Sequence, residues 1–183
     1  MILGLDISTS STGWCVFKDS KFINMGYIDL KKIKDPMDKA KKVKDCLMNL
    51  ILRYEISNVC IEQNLQAFRP GLSSAKTLLT LARFNGIVSY LCFEVFDLKP
   101  SYVNVNSARK ACNIKLDRKS KKSTKEQIFD YVLNDMSING LTYKWPKKVL
   151  KSGPRAGNEV YVDGCYDMSD SYVICKAYEA LNN

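Results

Sequence analysis

The sequence predicts an α/β fold in a single domain. Three observations carry that expectation. Short apolar runs that end in an acid read as strands, and stretches with apolar residues three and four apart between lysines read as amphipathic helices. The length, 183 residues, is the usual size of one domain. With 46% hydrophobic and 26% charged residues, the chain has ordinary globular composition and can bury a sizeable core. Disordered, collagen-like and coiled-coil classes are thereby excluded.

Ile2–Ile7 is an apolar run carrying an acid near its end, and Gly13–Phe17 is a second. With the polar turn Ser8–Thr12 between them they predict a β-hairpin, and Phe22–Leu30 a third strand. A helix is expected from about Pro36 to Arg53. Pro36 suits its first turn, Asp35 can cap it, and Met37, Ala40, Val43, Leu47 and Leu50 keep helical spacing. Ile56–Ile61 reads as a buried strand ending at Glu62, followed by a loop, Gln63–Pro70. A long helix from about Ser73 to Phe96 is apolar over a wide face through Leu78, Leu81, Ala82, Ile87, Val88, Leu91 and Cys92, and is expected to be central. Lys99-Pro100 breaks it. Tyr102–Val105 predicts the next strand, Ser107–Cys112 a short helix and Thr124–Met136 a longer one. Asn139–Gly164, rich in Gly and Pro, is expected to be an inserted loop or hairpin within the domain of residues 1–183, and Cys165–Leu181 a closing helix.

Two absences narrow the chemistry. The chain has no histidine, which excludes Ser-His-Asp and Cys-His catalysis and His-rich zinc sites. Its seven cysteines include no C-x-x-C pair and lie mostly in apolar runs, so reduced, buried thiols are expected. No stretch approaches about 18 apolar residues, the length of a membrane span, so no membrane partner is expected. Met1–Asp6 lacks the basic start of a signal peptide, and a cytoplasmic location is expected, on the nucleoid or in an infected host cell.

The net charge of +9 should draw the protein to an anion. Against it stand four acids. Asp6 and Glu62 end two predicted strands, and Asp167 and Asp170 share one helix face at a spacing of three. Taken singly these are strand-end acids facing water, or acids complementing a helix dipole. Taken together they can converge on one oxygen-only site suited to Mg²⁺ or Mn²⁺, since a divalent ion relieves the repulsion of crowded carboxylates. An acidic cluster beside basic surface fits metal-dependent chemistry on a phosphodiester.

The ordered set Ile2-Leu3-Gly4-Leu5-Asp6-Ile7-Ser8, Ile61-Glu62-Gln63 and Asp167-Met168-Ser169-Asp170 resembles the RuvC family of Holliday junction resolvases, as does the helix Ala75–Gly86 after Glu62. The resemblance covers roughly residues 1–138 and 165–181. It implies an RNase H-like mixed five-stranded sheet flanked by helices, and a homodimer that cuts four-way DNA junctions symmetrically with Mg²⁺, Mn²⁺ substituting, to leave 5′-phosphate and 3′-hydroxyl ends. By position, Asp6 and Glu62 look like the first two catalytic and metal-binding acids, Asp167 the third and Asp170 the last. Some relatives carry His at the third place. Lys125 aligns with a basic residue near the active site, and Arg109 or Lys110 with another. Leu65 falls where many bacterial members carry a junction-probing aromatic, with Phe68 and Arg69 close by. The segment 139–164 has no counterpart in the compact bacterial members. A phage or viral source is expected.

Between Arg109 and Lys125, eight basic residues face Asp117 alone. Arg109, Lys110, Lys115, Arg118, Lys119, Lys121 and Lys122 are expected to contact the phosphate backbone, the alternative being a solvated loop. Leu65 and Phe68 either cap the long helix or wedge into an opened junction, with Arg69 on a phosphate. Lys144, Lys147, Lys148, Lys151 and Arg155, interleaved with Tyr143 and Trp145, either stack on unpaired bases or pack as a small hairpin. Three other functions fit part of the pattern: a flap or branched-DNA nickase, an inactive DNA-binding scaffold, and an actin-like or sugar-kinase ATPase, whose first phosphate loop resembles Gly4–Gly13 but whose length is over twice this one.

Overall fold

Along the first strand, Leu3, Leu5 and Ile7 alternate with Ile2, Gly4 and Asp6, and helices cover both faces of the sheet that results. The structure, a computed structural model, describes residues 1–63 and 75–182. β1 (Ile2–Ile7), β2 (Ser11–Lys18) and β3 (Lys21–Asp29) form an antiparallel meander. β4 (Asn58–Glu62) pairs parallel with β1, and β5 (Ser101–Val103) parallel with β4. The strand order is β3-β2-β1-β4-β5.

One face packs Leu3, Leu5, Ile7, Val16, Val59 and Ile61 against α1 (Pro36–Ile51) and α2 (Ala75–Phe96). The other packs Cys15, Phe17, Met25, Cys60 and Val103 against α3 (Val105–Ala111), α4 (Thr124–Ile138) and α5 (Gly164–Asn182). Local chemistry fixes the helix starts. The Asp35 side chain accepts from Met37 N and Asp38 N at the head of α1, with Pro36 in the first turn. Ser123 and Glu126 form a capping box at the head of α4.

Several boundaries differ from the sequence expectation. β2 opens at Ser11 rather than Gly13, because the Ser8 hydroxyl closes the turn by accepting from Ser11 N at 3.1 Å and donating to Ser11 O at 2.7 Å. Ile56 and Ser57 lie outside β4. Val105 does not end a strand but opens α3, because Asn104 caps that helix by accepting from Asn106 N at 2.9 Å. By length and composition α2 alone, among the described residues, would suit a membrane span, a test that the core helix of a folded domain also passes. It packs instead on the sheet, through Phe84, Val88, Leu91, Cys92 and Phe96. It is not buried all round, because Leu79, Tyr90 and Phe93 remain exposed.

Between α4 and α5 the chain forms a second, two-stranded sheet, β6 (Lys147–Val149) with β7 (Glu159–Tyr161). All seven cysteines are free thiols, six of them buried.

Candidate active site

The strand register brings the first two acids together. Leu5 pairs with Ile61 in the parallel β1–β4 ladder, so the next residues, Asp6 and Glu62, stand level at adjacent strand ends. Leu5 and Ile61 point to the α1/α2 core, so alternation turns Asp6 and Glu62 to the face covered by α5. On that face Gly4 and Gly13 leave room for the helix. A β-carbon on Gly13, the β2 partner of Asp6, would lie 2.0 Å from the Asp167 carbonyl oxygen. One on Gly4 would lie 2.6 Å from Cys175 Sγ and 2.8 Å from the Ser171 carbonyl oxygen. The first turns of α5 therefore rest directly on the strand ends, carrying Asp167 and Asp170.

The four acids line one cleft of about 270 Å³ together with Arg109 of α3 and Lys125 of α4. Lys125 Nζ donates to Asp167 Oδ1 at 3.0 Å, and Asp167 is buried. Burial, then the charges of Asp170, Glu62 and Asp167, push the Asp6 carboxyl well above the usual range, with Lys125 opposing. Asp170 is raised to about 7, first by burial and then by Glu62. Burial also raises Glu62, against the pull of Arg109 and Lys125. Burial lowers the Lys125 ammonium, but Asp167, Asp170 and Asp6 more than offset it, so it is held above its ordinary value.

The cluster thus consists of oxygen donors crowded against their own repulsion, which is the donor chemistry that Mg²⁺ or Mn²⁺ requires. Among the described residues no three acidic or thiol groups are already gathered into a coordination shell. The fit therefore lies in donor type and electrostatics, with Lys125 holding Asp167.

Arg109 is shared between this cleft and an adjoining cavity of about 430 Å³ that Lys110, Lys115 and Arg118 also line. Lys119 and Lys121 are exposed, and Lys122 is held by Asp130 at 2.6 Å. Leu65, Phe68 and Arg69 lie outside the described residues. Ser8 and Gln63, which flank the first two acids in the quoted motifs, also line the cleft, as does Thr124, and the sequence assigned no role to these three or to Gly13. Thr124 had a visible signal, because it precedes Lys125 at a capped helix start.

Among solved structures the chain is similar to Thermus thermophilus RuvC in complex with a Holliday junction substrate, with a TM-score of 0.65 and 14% identity over 99% of this chain and 93% of that one. The fold is RNase H-like, as in RuvC. A second Thermus thermophilus RuvC structure gives 0.60 at 13% identity over 99% and 94% of the two chains. The yeast mitochondrial Holliday junction resolvase Ydc2 gives 0.52 at 13% identity over 98% and 77%. No family model and no curated protein sequence matches the chain. None of these three similarities supports a phage or viral source. At such identity the likeness is one of fold. On this RNase H-like scaffold the four acids occupy the ends of β1 and β4 and the start of α5.

Proposed function

We propose that the protein is a divalent-metal-dependent endodeoxyribonuclease that resolves four-way DNA junctions by paired nicks, leaving 5′-phosphate and 3′-hydroxyl ends. The observation that carries this reading is the convergence of Asp6, Glu62, Asp167 and Asp170 in one cleft with Lys125 and Arg109. Asp6, Glu62 and Asp170, with Asp167 once released from Lys125, are the residues that would hold Mg²⁺ or Mn²⁺. When bound, such an ion supplies Lewis acidity toward a phosphodiester and makes water a better nucleophile. Arg109 carries positive charge from the cleft into the adjoining cationic cavity, a path that suits the backbone of a DNA strand. With no histidine in the chain, proton transfer falls to carboxylates, water or the phosphate itself. Work on DNA is compatible with the cytoplasmic location expected from the sequence.

Symmetric nicks need two active sites related by a two-fold axis, and α2 supports a second copy of this chain as partner. On its exposed side Leu79, Ala82, Gly86, Tyr90 and Phe93 recur at three- and four-residue steps. Leu79 is 61%, Tyr90 62% and Phe93 42% exposed. Among the described residues, a β-carbon on Gly86 would meet nothing within 4 Å. A glycine inside a helix costs about 1 kcal/mol relative to alanine. Among the described residues nothing packs against Gly86 in return, whereas a small residue in an apolar stripe lets a second helix approach closely.

The experiment is incubation of purified protein and Mg²⁺ with four-way, three-way, flap and linear duplex DNA. Paired, symmetric cleavage of the four-way junction is expected. Single nicks in flaps with the junction uncut would replace this reading by a branched-DNA nickase. Binding without cleavage of any substrate would replace it by a scaffold.

A further inference from the structure

We infer that the cavity on the β6–β7 hairpin is a binding site for an unpaired nucleotide, with the base stacked on aromatic rings and the phosphate held by Lys144. The inference rests on the reading of DNA as ligand but concerns a site separate from the acidic cleft. The cavity measures about 620 Å³ and is lined by Tyr143, Lys144, Trp145, Pro146, Lys147, Glu159 and Tyr161. That size falls within the roughly 300–1,000 Å³ of small-ligand sites.

Packing of the hairpin accounts for only part of this aromatic content. Two strands of three residues are marginal by themselves and need anchoring. Trp145 and Tyr161 supply it by meeting Phe129 of α4 edge-on, with ring centroids 4.9 and 4.8 Å apart. Tyr143 donates its hydroxyl to Met25 O at 2.8 Å and meets Trp145 at 80°. None of these rings is stacked face to face on another, and Tyr161 stays 38% exposed. Tyr143, Trp145 and Tyr161 all line the cavity, where a flat base can stack once the Lys147 ammonium over the Tyr161 ring moves aside to the phosphate or the base edge.

Charge favours a nucleotide over a neutral aromatic. The acid in the cavity is already neutralised, because Lys147 donates to Glu159 at 2.7 Å and lies 5.5 Å from the centre of the Tyr161 ring. Lys144 has no ion pair among the described residues, and neither do Lys151 and Arg155 further along the hairpin. Position favours a strand that also occupies the cleft. Phe129 lies one helical turn beyond Lys125, about 5–6 Å along α4. Tyr166, which touches Phe129 with centroids 5.7 Å apart, immediately precedes Asp167. A strand displaced from the branch point therefore has a short path to the hairpin.

The test is binding without metal, so that it stands apart from cleavage. Fluorescein-labelled oligothymidylate and a blunt duplex are titrated with the full chain and with the variants Tyr161→Leu and Lys144→Ala. Loss of one stacked base in Tyr161→Leu is expected to weaken oligothymidylate binding about tenfold or more, with duplex affinity unchanged. Lys144→Ala should weaken it less and reduce the salt slope by about 0.7, the value for one phosphate of a single strand. If Tyr161→Leu lowers the melting temperature, Lys144→Glu, on an exposed side chain without an ion pair, decides instead and should lower oligothymidylate affinity selectively. Wild-type protein that ignores oligothymidylate, or variants that lose duplex and oligothymidylate equally, would overturn the inference. Selective oligothymidylate binding by a protein that cuts no branched DNA would uphold this site and overturn the nuclease reading.

Discussion

The carbonyl oxygen of Asp167 lies over Gly13 so closely that a β-carbon there would stand 2.0 Å away. This contact sets the height of α5 above the sheet, and with it the position of Asp167 and Asp170 beside Asp6. Gly13→Ala is therefore expected to lift the start of α5. The overpacking should destabilise the fold by at least about 1–3 kcal/mol. Cleavage should fall further than the loss of folded protein explains. Denaturant unfolding and junction cleavage read the two effects, and a Gly13→Ala protein of wild-type stability and activity would show that α5 does not need this contact.

Burial of the acids, and after it their mutual repulsion, makes metal-free stability depend on pH. Asp6, Glu62 and Asp170 bind protons more tightly folded than unfolded, so their contribution is complete below the ordinary carboxylate range. It is lost as pH rises toward about 7, where Asp170 titrates. In chelator, the melting temperature should drop between about pH 5 and about pH 8, and Asp170→Asn should flatten that drop. Mg²⁺ should raise the melting temperature more at the higher pH, where the carboxylates are charged. An equal Mg²⁺ effect at both pH values would argue against a site built from these acids.

Gly86 separates the dimer from the fold. Gly86→Ala meets open space among the described residues and should stabilise the helix by about 1 kcal/mol if nothing approaches it. In a dimer the same change, and more strongly Gly86→Arg, should raise the monomer fraction seen by light scattering. A monomer in the wild type, with and without junction DNA, would end the paired-incision mechanism.

The cations of the basic segment are not equivalent. Lys115 and Arg118 line the cavity beside Arg109, whereas Lys122 is already held by Asp130 at 2.6 Å. Each of Lys115→Ala and Arg118→Ala should flatten the log–log salt dependence of junction binding by about 0.9, one phosphate's worth. Lys122→Ala should change it less. Slopes unchanged from wild type in Lys115→Ala and Arg118→Ala would return the segment to a solvated loop.

The sheet and its helices were legible because alternation and helical spacing are local properties, and Asp6 and Glu62 were legible as acids ending apolar strands. The β5–α3 junction was not, because the Asn104 cap competes with the β-branched Val103 and Val105, and only the resulting hydrogen bonds show that the cap prevails. Gly13 was visible as a glycine, but its purpose depends on a helix more than 150 residues away. The aromatics of segment 139–164 left stacking and packing open in the sequence. Their edge-on contacts with Phe129 show that Trp145 and Tyr161 pack, while the cavity beside them leaves room to stack.

The most direct test of the central claim is cleavage and binding of a four-way junction by Asp6→Asn in Mg²⁺. The amide keeps the size of the side chain and removes the charge needed to hold a divalent ion at the centre of the cleft. Cleavage is expected to fall to background, with junction affinity within a few-fold of wild type. Cleavage at the wild-type rate would contradict the central claim and remove the four-acid cleft as the active site.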